Sequence, residues 1–331
     1  MVIKKCYMGR EKGVDTMLSL SAQERKEIEL ISLFRRAGYK RCRLGQFDEY
    51  ELFDQNRAFL EGDKMLTFTD PYGKLYALRP DVTLSVMKQA AYQPDPVYKV
   101  YYKENVFRLS SDTHQYEAHA QFGAEAIEKE AASDGSEVLA LAQQALACLG
   151  DRTVLVLSHM GFLLNNEWYI KQSSEIRDQI LLYIAQKNRH DLKTFLEGAG
   201  CPLQEQKKLT AAPVLTGRPE KVLEIIKKEQ LGQELQSAAE EVCAQVSQLS
   251  ELPGQKVILD FSLVNPLSYY NGLVFQGFLQ GCSSYVLSGG RYDHLAKRFL
   301  PSAQKRCGAI GFAIDLEALE PVWKRKEETI C

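Results

Sequence analysis

The sequence predicts an α+β fold, in which one antiparallel sheet is flanked by helices. Runs of aromatic and β-branched residues typical of strands are concentrated towards the two ends of the chain, whereas helical periodicity fills the middle. Strands and helices do not alternate strictly, as they would in a parallel α/β sheet. The chain has 331 residues, of which 45% are hydrophobic, so it can bury a large core.

The first predicted element is a helix that begins at Ser21. Ser21 and Glu24 have the form of a capping box, and Gly38 can end the helix in the left-handed conformation. Strands are predicted where aromatic and β-branched residues follow one another between turn signals. The elements predicted next, in order, are strands at 66–68 and 75–78 joined by a DPYG turn at 70–73, a helix over 82–91, and strands at 97–102, 105–109 and 116–123.

The second half of the chain begins with another predicted helix. The residues SDG at 133–135 form its N-cap region, and its Ala/Leu-rich run ends at Gly150. A helical insertion is predicted over about residues 167–252, and its Lys/Glu-rich faces fit either a solvated surface or a partner interface. The elements predicted after it are strands at 256–262, 273–279, 284–287 and 308–314 and a short helix over 291–299.

Composition and charge exclude several classes of protein. Lys and Arg number 41 and Asp and Glu number 43, so a generally basic nucleic-acid-binding surface is not expected. The most apolar stretch, residues 154–164, is interrupted by polar residues and is too short to cross a bilayer. The first residues lack the apolar run of a secretory signal, so a cytoplasmic location without a membrane partner is predicted.

No metal or cofactor site is predicted. The eight cysteines are scattered without a C-x-x-C pair, which is typical of reduced thiols. His114 and His119 are five residues apart and would point to opposite faces of a strand. The glycine-rich phosphate-binding motifs of common nucleotide-binding folds do not occur. Any ligand site must therefore be built from side chains on the sheet.

Seven short sequence blocks occur in order along the chain. They are LRPDVT (78–83), VFR (106–108), QFGAE (121–125), LSYY (267–270), NGLVF (271–275), SGGRYD (288–293) and GFAIDLE (311–317), and the match extends to GVD (13–15), GY (38–39) and ELF (51–53). Together they resemble the catalytic core of class II histidyl-tRNA synthetases. The resemblance covers almost the whole chain and implies one class II synthetase-like core domain over residues 1–331, interrupted by the helical insertion.

The resemblance also implies a set of residues that contact an amino acid. Seven residues match positions that hold the substrate in the synthetases, namely Asp81, Thr83, Arg108, Gln121, Glu125, Tyr269 and Tyr270. Carboxylates for the α-amino group and the imidazole, together with polar donors for the carboxylate, suit free histidine.

Other positions depart from the synthetase pattern. Asn265 and Ala318 stand where the synthetases carry arginines that bind carboxylate and phosphate oxygens. A neutral amide or a methyl group cannot supply such a fixed positive charge. The loop at 109–115 lacks the basic residues that synthetases use there, and no C-terminal anticodon-binding domain is expected after Glu317.

A kept amino-acid pocket with lost activation chemistry resembles the regulatory subunits of ATP phosphoribosyltransferase. The resemblance implies a non-catalytic chain that assembles with the short-form catalytic subunit, is required for its activity and transmits histidine feedback inhibition in the first step of histidine biosynthesis. It implies free histidine as effector and no tRNA partner. A self-dimer is also expected, although Gly45 stands where the class II dimer motif usually has proline.

Structural roles remain open for several of these residues. Arg108 and Glu125 could form an ion pair within the sheet, and Asp81 could serve only as an N-cap. Tyr269 and Tyr270, if they lie on a strand, point to opposite faces, so that only one of them contacts a ligand. The residues SGGR at 288–291 could form a turn in which the arginine caps the sheet.

Two other functions also remain open for the chain. The first is a free-standing enzyme that adenylates histidine, which Arg108 and the kept pocket would support. The second is a stand-alone histidine sensor that acts on some other target.

Overall fold

A nine-stranded sheet and a three-stranded sheet organise the protein. The structure is a computed structural model, and it describes residues 20–60, 64–110, 113–130, 132–265, 269–300 and 307–323. The strands are β1 (Lys40–Arg41), β2 (Phe47–Glu49), β3 (Thr67–Thr69), β4 (Leu75–Leu78), β5 (Val97–Leu109), β6 (Tyr116–Glu128), β7 (Thr153–His159), β8 (Thr216–Gly217), β9 (Gln255–Asp260), β10 (Leu273–Leu279), β11 (Leu287–Arg291) and β12 (Gly308–Asp315).

Helices flank the strands and fill the segment that was predicted to be helical. They are α1 (Ala22–Arg36), α2 (Tyr50–Asp54), α3 (Val82–Ala91), α4 (Ser136–Leu149), α5 (Gly161–Leu164), α6 (Glu167–Ile170), α7 (Ser174–Ala185), α8 (Arg189–Gly198), α9 (Leu203–Ala211), α10 (Pro219–Glu229), α11 (Gln233–Val246) and α12 (Asp293–Phe299). No helix in the described ranges is both long and apolar enough to cross a lipid bilayer.

The large sheet has the order β1-β5-β6-β12-β11-β10-β7-β9-β8, and the small sheet has the order β2-β4-β3. Most neighbouring strands are antiparallel, as predicted. The pairs β1/β5 and β7/β9 are parallel instead. Parallel strands need a long crossover connection, and the seven helices α5 to α11 lie in the connection between β7 and β9.

Residues 97–123 form two long strands rather than the three predicted ones. Strands β5 and β6 pair along their whole length, from Val97 opposite Glu128 to Leu109 opposite Tyr116. The polar residues Lys103 and Glu104 suggested a break in the first strand. They continue it, because Lys103 pairs with Glu27 at 2.7 Å and Glu104 pairs with Arg79 at 3.0 Å.

Two further strand predictions are corrected. Strand β7 lies in the apolar stretch at 154–164, where the sequence analysis predicted no strand. Strand β11 occupies Leu287–Arg291 rather than the predicted 284–287, so the residues SGGR lie in a strand and the alternative of a turn is wrong. Glycine is needed in this strand because a Cβ atom at Gly289 would lie 2.4 Å from the carbonyl oxygen of Gly311 on β12. The helix predicted over 291–299 begins only at Asp293.

The first helix is anchored at both ends as predicted. Ser21 and Glu24 form the capping box, and Gly38 has a φ of +84°. On its buried face, the ring of Phe34 contacts Tyr101 and Phe122, with centroid distances of 5.9 and 5.5 Å. The helix therefore packs on one face of the large sheet, and the cavity described next lies on the opposite face.

Candidate functional site

All seven residues that were predicted to bind a ligand line one cavity of about 80 Å³. Asn265 lines the same cavity, whereas Ala318 is not among its lining residues. The walls come from the start of α3, from β5, β6, β11 and β12, and from the residues around 269–270. The remaining lining residues are Phe59, Tyr102, Ser288, Tyr292, Gly311, Phe312 and Ala313.

Glu125 lines this cavity and is 2% exposed. Three hydroxyl groups hydrogen-bond to its carboxyl group. Thr83 Oγ1 is 2.9 Å and the Tyr102 hydroxyl is 3.3 Å from Oε1, and the Tyr292 hydroxyl is 2.5 Å from Oε2. These contacts fix both carboxyl oxygens, so Glu125 is held in one orientation before any ligand enters.

Burial dominates the electrostatics of the site. It raises the pKa of Glu125 to about 8, against the lowering effect of the hydroxyl donors, and the Asp81 charge raises it further. Burial also raises the pKa values of Tyr102, Tyr269 and Tyr292 well above their ordinary value, so these hydroxyls stay protonated. A cationic ligand group would favour the ionised form of Glu125.

Two glycines make room for the groups around Glu125. A Cβ atom at Gly311 would lie 1.5 Å from Glu125 Oε2, and a Cβ atom at Gly123 would lie 2.3 Å from the Tyr102 hydroxyl. Any larger residue at either position would displace the carboxyl group or its tyrosine donor. Both glycines belong to the sequence blocks quoted above, but the sequence analysis gave them no role.

Asp81 has the N-cap role that the sequence left open, and its position leaves the ligand-binding role open as well. It is the N-cap of α3, where its Oδ1 accepts a hydrogen bond from the Leu84 N–H at 3.0 Å, and it also lines the cavity. Thr83, two residues later, places its hydroxyl against Glu125. The helix start therefore brings one carboxylate and one hydroxyl to the same wall.

Aromatic side chains form a second wall. Tyr269 and Tyr270 do not lie on a strand, and both line the cavity, so the expectation that only one of them faces it is wrong. Their ring centroids are 4.8 Å apart at an angle of 81°. Tyr292 and Phe59 also contact Tyr269, with centroid distances of 5.5 and 6.0 Å. A planar cationic ring fits such a wall.

Among the described residues that line the cavity, Arg108 is the cationic one. Arg108 is half-buried on β5, and its Nε–H donates a hydrogen bond to the carbonyl of Pro80 at 3.3 Å. Asn265 provides a neutral amide in the same lining. Carboxyl groups, tyrosine hydroxyls and one arginine together can bind a small ligand that carries both an ammonium and a carboxylate group.

The last sequence block ends outside the cavity. The Ala318 N–H donates a hydrogen bond to Asp315 Oδ1 at 3.2 Å, and the methyl group packs against the main core. Glu317 beside it lies 2.7 Å from His119 Nδ1. The acidic side chains of Asp315 and Glu317 therefore lie at this end of the sheet. In the loop at 109–115, residues 111 and 112 lie outside the described residues, as does the GVD block at 13–15.

Tyr102 and Tyr292 are site residues that the sequence analysis missed. Tyr292 belongs to the SGGRYD block, so its place in an ordered motif was an available signal. Tyr102 had none, because its place beside Glu125 depends on the pairing of β5 with β6. Among the described residues, no group of three or more His, Cys, Asp or Glu side chains could hold a metal ion.

Comparisons with known proteins place the chain in a family. The "ATP phosphoribosyltransferase regulatory subunit" of Alkaliphilus metalliredigens is 28% identical over 329 residues, covering 96% of this chain and 81% of that protein. The "Histidine--tRNA ligase" of Methanoregula boonei is 27% identical over 336 residues, covering 96% of this chain and 77% of that protein.

Solved structures share the fold. A Bacillus halodurans protein described as an ATP phosphoribosyltransferase regulatory subunit/histidyl-tRNA synthetase has a TM-score of 0.72 at 23% identity, covering 90% of this chain and 78% of that one. A chain of the ATP phosphoribosyl transferase (HisG:HisZ) complex from Thermotoga maritima has a TM-score of 0.67 at 21% identity, covering 89% and 97%. The family model for histidyl-tRNA synthetase matches residues 15–319. The chain therefore belongs to the histidyl-tRNA synthetase family.

Proposed function

We propose that the chain is a non-catalytic regulatory subunit of ATP phosphoribosyltransferase. In this role it activates a short catalytic subunit, which joins ATP to phosphoribosyl pyrophosphate, and it transmits feedback inhibition by histidine. The name of the Alkaliphilus metalliredigens relative and the Thermotoga maritima complex support this proposal.

One observation carries the proposal. The cavity combines the carboxyl groups, hydroxyls and arginine suited to free histidine with a neutral amide, Asn265. The resemblance implies that the synthetases carry an arginine at this position. A fixed cation there would stabilise the negative charge that develops on carboxylate and phosphate oxygens during activation. The cavity is therefore better suited to binding histidine than to activating it.

Regulation by histidine requires a difference in affinity. Histidine can inhibit the complex only if it binds the inhibited assembly more tightly than the active one, and the affinity ratio sets the extent of inhibition. In this proposal Glu125, Asp81 and Arg108 bind histidine, and the aromatic wall encloses its ring.

Reconstitution tests the proposed function. The activity of a short-form catalytic subunit is measured with and without this chain while histidine is titrated. We expect activity to increase on mixing and histidine to suppress the increase. If mixing changes neither the activity nor its response to histidine, the regulatory proposal is wrong.

A histidine-adenylating enzyme is the second candidate. Arg108 in the cavity and the Methanoregula boonei relative favour it. Histidine-dependent exchange between ATP and pyrophosphate by the purified chain would support this enzyme and contradict the regulatory proposal. We expect no exchange above the background of a sample without histidine.

We also propose that the chain forms a dimer and does not bind tRNA. Sedimentation of the isolated chain measures its association, and a monomer at micromolar concentration would contradict the dimer. If histidine binds but no catalytic subunit does, the chain is instead a stand-alone histidine sensor.

A further inference from the structure

The outer edge of the large sheet is only partly paired. Strand β9 pairs with β7 from Gln255 to Leu259. On its other side, β8 contributes two residues, which pair with Leu259 and Asp260. No described strand lies beside the first four residues of β9, so this stretch is an open sheet edge.

The backbone of Val257 points towards this open edge. The Phe261 N–H donates to the Leu215 carbonyl at 3.1 Å, on the side of β8. Backbone groups alternate in direction along a strand, so those of Leu259 and Val257 point the same way. A backbone N–H and C=O that point outwards from a sheet edge can hydrogen-bond to the backbone of another extended chain.

A groove of about 470 Å³ lies along the open edge. Its apolar lining includes Pro219, Val246, Val257 and Ile258. Two exposed cations, Arg218 and Lys256, line it together with one carboxylate, Glu220. Within the described ranges neither cation forms an ion pair. An extended segment with alternating apolar and acidic side chains would complement both the edge and its excess positive charge.

At this edge, the side chain of Ile258 lies on the same face of the sheet as the cavity. Strand register links Ala313 to Ser288, Ser288 to Gln276, Gln276 to Val156 and Val156 to Ile258. Residues paired in this way share a face. Ala313 and Ser288 line the cavity, so one row of side chains runs from the cavity to the open edge. A strand added beside Ile258 would extend that row, roughly 19 Å from Ser288 at about 4.8 Å per strand.

We propose that β9 is the docking strand for an extended, acidic segment of the catalytic transferase subunit. The segment would add a strand next to Val257 and place its acidic side chains beside Arg218 and Lys256. This inference rests on the proposed function and assigns its partner interface. Contact along the row of side chains would let occupancy of the cavity influence the docked subunit.

Two variants of the full-length chain test the docking site. Val257→Pro removes the outward N–H while leaving the bonds to β7, which use the neighbouring residues, and proline is tolerated on an edge strand. The double variant Arg218→Glu, Lys256→Glu reverses both groove cations without changing the backbone. The matched control is Lys193→Glu, an exposed charge reversal on α8 that does not line the groove.

The measurements are the affinity for a short-form catalytic subunit, the transferase activity on mixing and the thermal unfolding of each variant. Hydrogen exchange of peptides covering residues 255–260 is followed with and without the subunit. We expect both groove variants to bind at least about tenfold more weakly than Lys193→Glu, with histidine affinity unchanged. We also expect the subunit to slow exchange of the Val257 amide.

The outcomes separate the two proposals. If the unmodified chain activates the subunit but both groove variants bind and activate as the control does, the docking site is wrong and the proposed function stands. If the unmodified chain neither binds nor activates the subunit, both proposals are wrong. If the groove variants instead abolish self-association of this chain, β9 is a contact between its own copies.

Discussion

Gly311 and Glu125 are Cα partners on neighbouring strands, and Glu125 Oε2 occupies the space that a Cβ atom at residue 311 would take. The carboxyl group of Glu125 therefore lies directly over the backbone of β12. This arrangement brings Glu125 within reach of Tyr292, which follows β11. The position of the Glu125 carboxyl group thus depends on the absence of a side chain at Gly311 as well as on its hydroxyl donors.

Gly311→Ala is expected to displace Glu125. Because the added methyl group overlaps the carboxyl group, we expect histidine affinity to fall at least about tenfold and the free energy of unfolding to fall by about 1–3 kcal/mol. Calorimetry and denaturant titration measure both effects. The control is Gly198→Ala, where a Cβ atom meets nothing within 4 Å. If both variants had the same histidine affinity and the same free energy of unfolding, Glu125 would be able to move aside without loss of binding or stability.

Glu125→Gln is expected to weaken histidine binding by about 1–3 kcal/mol, because it removes a charge-assisted hydrogen bond. Isothermal calorimetry measures the affinity. Glu128→Gln, on the opposite face of the same strand, is the control and should bind histidine as the unmodified chain does. An unchanged affinity for Glu125→Gln would remove Glu125 from the ligand site.

Stability should depend on pH through Glu125. Its folded-state pKa is raised by burial to about 8 from an ordinary value of 4.5. The folded state holds this proton more tightly than the unfolded chain does. The corresponding stability is therefore fully present below about pH 4.5 and is lost as the pH rises through about 8.

Glu125→Gln removes this titration. Between about pH 5 and about pH 8.5, the free energy of unfolding of the unmodified chain should fall relative to that of the variant. The expected change exceeds about 1.4 kcal/mol, the equivalent of one pKa unit. Denaturant titrations across this pH range measure the difference, and a constant difference would contradict the prediction.

Arg79 is expected to be essential for stability. Its side chain is fully buried, pairs with Glu104 at 3.0 Å and donates to the carbonyls of Gly45 and Asn105. Arg79→Ala leaves these acceptors without their donor, so we expect a loss of about 3–5 kcal/mol in thermal or denaturant unfolding. Arg57→Ala removes an exposed ion pair with Asp54, which water screens, so it should leave the free energy of unfolding almost unchanged. A similar cost for both variants would contradict this account.

Local signals predicted the local elements of the fold. The capping box at Ser21, the strand at Leu75–Leu78 and the helix at Val82–Ala91 follow from residues close together in sequence. Strand β7 was missed because its central residues 154–157 form a short apolar run without the apolar/polar alternation of a half-exposed strand. The apparent break at Lys103 was misleading because its partner, Glu27, lies 76 residues away.

The site was also predictable only in part, because some of its contacts join residues that are far apart in sequence. Ordered motifs identified the residues that line the cavity, and they include Asp81, Thr83 and Glu125. The hydroxyl of Tyr102 and the space above Gly311 arise from strand register, which no local pattern specifies. The expectation that Tyr269 and Tyr270 point to opposite faces required a strand, but the chain turns at this point.

The position of β12 between β6 and β11 has a consequence for protein synthesis. Until residues 308–315 have left the ribosome, β6 lacks its neighbour and the cavity lacks the wall formed by Gly311, Phe312 and Ala313. An unfinished chain therefore lacks the complete cavity in which we propose that histidine binds. Because a ligand stabilises only the state that binds it, a ligand of this cavity would protect finished chains from turnover and leave truncated ones to proteases.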